Sequence, residues 1–248
     1  MTRQKVTYLY KGEDKIYGDD RDSSLASFSI GYAFSDELEG SMGLGGAQHT
    51  FATLDDYDAP DDFSAILGSL HIEWDDTKYR FYYREGFKTQ IFMEQQLVRN
   101  DDDEKTQGLW VQINEEANLF AKQVCQLQVM AGYLDGGDER SFFRVGGDKG
   151  FRGVPDRGAW VDQFLTASLD YQIPLWFSDA GTWTVAPFLD VGRLHQPEFG
   201  EEDVTYTSAG IGSYLYLKQV AVPGLGFEVG HNDTYQTSFF KFTIGFSF

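Results

Sequence analysis

Few residues in this chain have the types and spacing that chemistry requires. The four histidines, His49, His71, His195 and His231, lie far apart and without metal-ligand spacing, so they read as loop or wall residues. His231-Asn232-Asp233 could serve a hydrolase, but no Gly-x-Ser-x-Gly elbow supplies a nucleophile. The single cysteine, Cys125, shares an alternating face with Leu127 and Val129 and reads as a small apolar wall residue. No catalytic group, metal site or cofactor is expected. What remains is a charge arrangement: one arginine, Arg152, in a glycine-rich stretch, and two acids, Asp170 and Asp190, inside strands that otherwise alternate apolar and small residues.

Those strands set the fold class. Phe240, Phe242, Ile244, Phe246 and Phe248 fall on one face of the final segment, with Lys241, Thr243, Gly245 and Ser247 on the other. Ala26 to Phe34, Leu109 to Asn114, Gln126 to Ala131 and Leu165 to Ile173 repeat the pattern. The second face carries Gly, Ser, Thr and Gln with scattered acids rather than dense charge. That suits a narrow lumen better than the wet side of a soluble sandwich. No apolar run approaches the ~18–20 residues of a membrane helix, a length that barrel strands of ~9–11 residues do not need. The reading is an all-β chain: a transmembrane antiparallel β-barrel of about twelve strands, beginning near Lys5 to Lys11, with a long connection from Leu134 to Gly158. A single domain over 1–248 is expected. Trp160, Trp176 and Trp183, near strand ends, read as an interfacial aromatic girdle.

The net charge of −19 excludes nucleic acid as a partner. The acids cluster between the alternating runs, at Asp55 to Asp62, Asp101 to Glu104 and Glu201 to Asp203, and so belong to loops. They are either solvated or bridged through divalent cations to lipid or glycolipid heads.

The stretch from Phe143 to Gly153, with Gly146-Gly147 followed by Phe151-Arg152-Gly153, resembles the lumen loop of the BamA-type outer-membrane assembly and two-partner secretion superfamily. Phe188-Leu189-Asp190-Val191-Gly192 is similar to the family's Phe-x-Asp-x-Gly inner-wall strand. Asp170-Tyr171-Gln172-Ile173-Pro174-Leu175 is similar to the strand after the loop. Trp74 to Thr77 with Gly86-Phe87 resembles a periplasmic turn. Phe151 and Val154 are mild departures from the usual residues around the Arg-Gly pair.

The resemblance covers about the last twelve strands of a longer family barrel. It implies that the loop folds into the lumen and that Arg152 pairs with Asp190, with Asp170 as a second carboxylate. Phe188 and Gly192 would share that wall, and the C-terminal aromatic strand ending in Phe248 would serve as the insertion signal. The pair would act as a structural lock, a gating switch, or both. A Gram-negative-type outer membrane is the implied location. The implied function is assistance to insertion or translocation of proteins, with lipids, an unfolded or secreted client and a separate periplasmic partner as contacts. No POTRA domain is expected. The alternative is a passive or plugged pore, or a structural surface barrel. Adhesion through the acidic loops is a third reading.

Overall fold

The computed structural model describes the backbone of residues 2–3, 7–11, 14–52, 62–80, 82–100, 105–119, 122–137, 141–197, 202–217 and 223–245. Side chains are described from residue 24 onward within these ranges, except 51–52, 202 and 223. The strands are β1 (Thr2–Arg3), β2 (Thr7–Lys11), β3 (Asp14–Ala33), β4 (Leu38–Ala52), β5 (Phe63–Asp75), β6 (Lys78–Tyr79), β7 (Arg84–Arg99) and β8 (Gln107–Asn118). They continue as β9 (Val124–Asp135), β10 (Phe143–Val145), β11 (Ala159–Val161), β12 (Gln163–Phe177), β13 (Gly181–Gln196), β14 (Glu202–Leu217), β15 (Pro223–Asn232) and β16 (Thr237–Ile244). No α-helix occurs among the described residues.

Twelve strands form one antiparallel path, β1-β3-β4-β5-β7-β8-β9-β12-β13-β14-β15-β16, while β2 and β6 pair onto β3 and β7 as side branches. β10 and β11 form a separate ribbon. Of the segment Lys5 to Lys11, residues 5 and 6 lie outside the described residues, and Thr7–Lys11 is not the first wall strand. It folds back along β3, with Thr7 opposite Asp19, and β1 follows with Thr2 opposite Ser23. Among the described residues, this leaves the edge of β3 from Ser24 to Ala33 with no ladder on the side away from β4. β16 pairs only with β15, so among the described residues the sheet is not closed.

Burial is inverted relative to a water-soluble protein. In β12, Phe164, Thr166, Ser168, Asp170 and Gln172 are buried while Leu165 and Leu169 are exposed; in β13, Thr184, Phe188 and Asp190 are buried while Leu189 and Val191 are exposed. Exposed large side chains continue the outer face on β3 (Phe28, Ile30, Tyr32), β4 (Met42, Leu44) and β15 (Phe227, Val229). An apolar outer band over a polar interior is stable where the surrounding solvent is hydrocarbon. Trp176 and Trp183 are cross-strand partners at the turn end and both are about half exposed, as a girdle requires. Trp160 is different. It is 1% exposed on β11, inside the sheet, with the Arg144 guanidinium 4.1 Å from its ring. A tryptophan near a strand end can sit on either side of a barrel wall, and the ribbon's fold into the lumen decides this one.

The sheet curls around the connection at residues 141–158. That connection touches inward side chains from β9 through β16, and its Phe151 and Val154 join Met130, Phe164, Leu194, Tyr206 and Tyr235 in one buried cluster.

Candidate functional site

The inward loop is first held by its own backbone. Gly147 N donates to the carbonyls of Phe151 (3.2 Å) and Val154 (3.0 Å), Phe151 N to Asp148 O (2.8 Å), and Val154 N to Phe151 O (3.1 Å). Two glycines make this course possible. Gly146 has φ +146°, and a Cβ there would run into the Pro155 carbonyl. Gly153 has φ +77°, and a Cβ would lie 2.6 Å from Asn232 Cβ and 3.0 Å from the Phe239 ring. The second glycine thus brings the loop backbone flush against β15 and β16.

Between these glycines Arg152 turns into the wall and is 2% exposed. Its Nε donates to Asp190 Oδ2 (2.9 Å) and its Nη2 to Asp190 Oδ1 (2.6 Å), a fork-on-fork pair. Nη1 donates to Asp170 Oδ1 (2.9 Å) and Nη2 also to Ser168 Oγ (2.7 Å). The backbone N of Arg152 adds a bond to Asp190 Oδ2 (3.3 Å). The guanidinium carbon lies 3.7 Å from the centre of the Phe188 ring. Lys149 pairs with the other oxygen of Asp170, so two cations face two carboxylates and the cluster is neutral. A buried pair of this kind adds little net stability. Removing one partner strands the other charge, at a cost of about 3–5 kcal/mol.

The remaining contacts tie the loop to the last strands. Tyr206 Oη donates to Gly150 O, and its ring occupies the space over Gly192, where a Cβ would lie 2.6 Å from it. Asn232 Nδ2 donates to Arg152 O (3.3 Å), Thr237 Oγ1 to Gly153 O, and Lys241 Nζ to Gly147 O (3.2 Å). Phe151 packs edge-on against Phe164 at 5.4 Å. The structure therefore brings together Gly146, Gly147, Phe151, Arg152, Gly153, Asp170, Phe188, Asp190 and Gly192. Phe240, Phe242 and Ile244 lie apart from them, on the outer face of β16, with Phe242 against Phe227 at 4.8 Å. Phe246 and Phe248 lie outside the described residues.

Several participants escape a reading of the sequence. Ser168, Lys149, Tyr206 and Asn232 are ordinary residues of an alternating wall or a loop until the third dimension groups them. A second inward element is also present, at the short-turn end. Tyr82 and Tyr83, in the turn between β6 and β7, are 1% and 8% exposed and pack with Val124 and Tyr216. Tyr82 reaches across the lumen mouth from β7 to β14, its ring 5.6 Å from Tyr216 and 5.8 Å from Phe177. Its hydroxyl donates to Lys122 O, while Asn118 Nδ2 donates to Tyr83 Oη (2.7 Å). Burial, with a smaller contribution from neighbouring Tyr83, pushes the Tyr82 phenol up to about 12. The signal in the sequence is an aromatic run, Phe81-Tyr82-Tyr83, where a tight turn would carry small polar residues.

His195 Nδ1 contacts Asp162 Oδ1 at 2.6 Å and His231 Nδ1 contacts Ser238 Oγ at 3.1 Å. No group of three or more His, Cys, Asp or Glu residues that could hold a metal occurs among the described residues.

The chain is similar to the crystal structure of BamA from Haemophilus ducreyi lacking POTRA domains 1–3, with a TM-score of 0.73 at 14% identity over 96% of this chain. The fold is thus that of a BamA-type barrel. The match spans 56% of the BamA chain. No family model matches the sequence, and no curated protein does.

Proposed function

We propose that this protein is an integral barrel of a Gram-negative-type outer membrane that assists insertion or translocation of proteins. The observation that carries the reading is the seam: among the described residues, Ser24 to Ala33 of β3 and the outer edge of β16 have no ladder partner. An unpaired edge facing lipid is costly, and a client strand could satisfy it by augmentation. The loop bears on one side of this seam, because Thr237 and Lys241 of β16 hold its backbone. Arg152 would then stabilise one arrangement of the seam by keeping the loop docked. Lipids, an unfolded or secreted client and a separate periplasmic protein are the partners this reading requires.

Photo-crosslinking tests it. A benzophenone side chain placed at Thr243 of β16 should capture an unfolded barrel client, whereas one at Val191, in the middle of the sheet, should not. Equal capture at both positions would sink the reading.

The second reading is a plugged structural barrel without transport activity. Tyr82 and Tyr83 favour it, because they are buried at the short-turn end while the Arg152 loop is buried against the inner wall. It predicts little conductance and no client capture at either position.

A further inference from the structure

A cavity of about 450 Å³ lies inside the barrel at the loop end, and Arg152, Asp170 and Asp190 are not among its lining residues. Phe92, Phe63, Trp110, Phe143 and Leu67 contribute to its lining, and Glu94 enters the same space from β7. This carboxylate is unusual for the molecule. Lys88, on the same face of β7, is committed to Glu73 (2.5 Å) and Asp75 (3.0 Å), and Arg152 to Asp170 and Asp190. The Glu94 side chain makes no hydrogen bond or ion pair with any described residue. Ser141 also borders the cavity, and its Oγ is buried without a hydrogen-bond partner.

A carboxylate without a partner among the described residues, in a cavity bordered by aromatic rings, is complemented by a cation. The cation would gain the ion pair at Glu94, and an apolar body attached to it would fill a space, bordered by Phe63, Phe92 and Trp110, of the size that small ligands occupy. The net charge of −19 biases the same choice, because a negative field attracts cations. We propose that this cavity binds a small organic cation, a primary ammonium on an aromatic or aliphatic body. The site is independent of the seam, so a barrel that accepts no client could still bind.

Isothermal titration of benzylammonium chloride into the detergent-folded barrel tests the proposal, with empty micelles as the blank and benzyl alcohol as the neutral analogue. Saturable one-to-one binding of the ammonium is expected, with none of the alcohol. Glu94→Gln, nearly isosteric, should weaken binding by roughly tenfold or more. Leu67→Trp, which fills the cavity and keeps the carboxylate, should abolish it. Heat-modifiability on electrophoresis checks that each variant is folded. No saturable binding to the wild type, equal binding of the alcohol, or binding unchanged in either folded variant would overturn the proposal.

Discussion

Arg152 meets Asp190 fork to fork, Nε and Nη2 against the two carboxylate oxygens at 2.9 and 2.6 Å, in a place where neither side chain reaches solvent. The consequences of this contact are asymmetric. The pair is neutral and well bonded, but either half alone is a stranded charge in the wall of a barrel.

Arg152→Ala should therefore be much worse than its small volume change implies. A loss of about 3–5 kcal/mol is expected, and Arg152→Lys should recover only part of it, since an ammonium cannot hold Asp190 bidentately while reaching Asp170 and Ser168. Urea unfolding in detergent, followed by heat-modifiability, measures both. Limited proteolysis within 136–158 should become fast in the alanine variant and stay slow in the wild type.

Removing Asp190 with the arginine should be gentler than removing the arginine alone. Arg152→Met with Asp190→Asn leaves Asp170 paired with Lys149 and no uncompensated charge, and its stability should lie closer to the wild type than that of Arg152→Met. A double variant as unstable as the single would show that loop packing, not charge, dominates.

The backbone at Gly146 makes a separate prediction. Alanine there collides with the Pro155 carbonyl at a φ that favours glycine, which should cost about 1–3 kcal/mol or more and release the loop. Gly46→Ala, on the outer face of β4, where an added Cβ meets nothing within 4 Å, is the control and should be nearly neutral.

The two obstructions of the lumen should act in series. In planar bilayers the wild type should conduct weakly. Arg152→Ala alone, or Tyr82→Ala with Tyr83→Ala alone, should leave one end obstructed and conductance near the wild-type value. The combined variant should conduct markedly more. A large current from either set alone would locate the barrier at that end only.

Brominated lipids should quench Trp176 and Trp183 but not Trp160 in single-tryptophan variants. The first two stand on the outer face, while Trp160 is enclosed by the loop ribbon with Arg144 stacked on it.

The wall is the part of this protein most readily read from the sequence. Alternation is local, so Leu165 against Thr166, or Leu189 against Asp190, fixes which face is oily without knowledge of the neighbours. An acid at position 190 of such a strand needs a partner, but nothing local names Arg152, and only the resemblance did. Features that depend on how distant segments meet were not legible. β2 turns back along β3 instead of joining the wall, Trp160 lies inside instead of at the membrane interface, and Tyr82 crosses the lumen to Tyr216. Each has side chains compatible with two locations, and tertiary packing chooses between them.

The most direct test of an assembly role is the folding rate of an unfolded model barrel into liposomes that carry this protein, beside empty liposomes and liposomes with the Arg152→Ala variant. Faster folding with the wild type, and a loss of that increase in the variant, are expected. A wild-type rate equal to that of empty liposomes, from a protein that is itself folded and heat-modifiable, would contradict it.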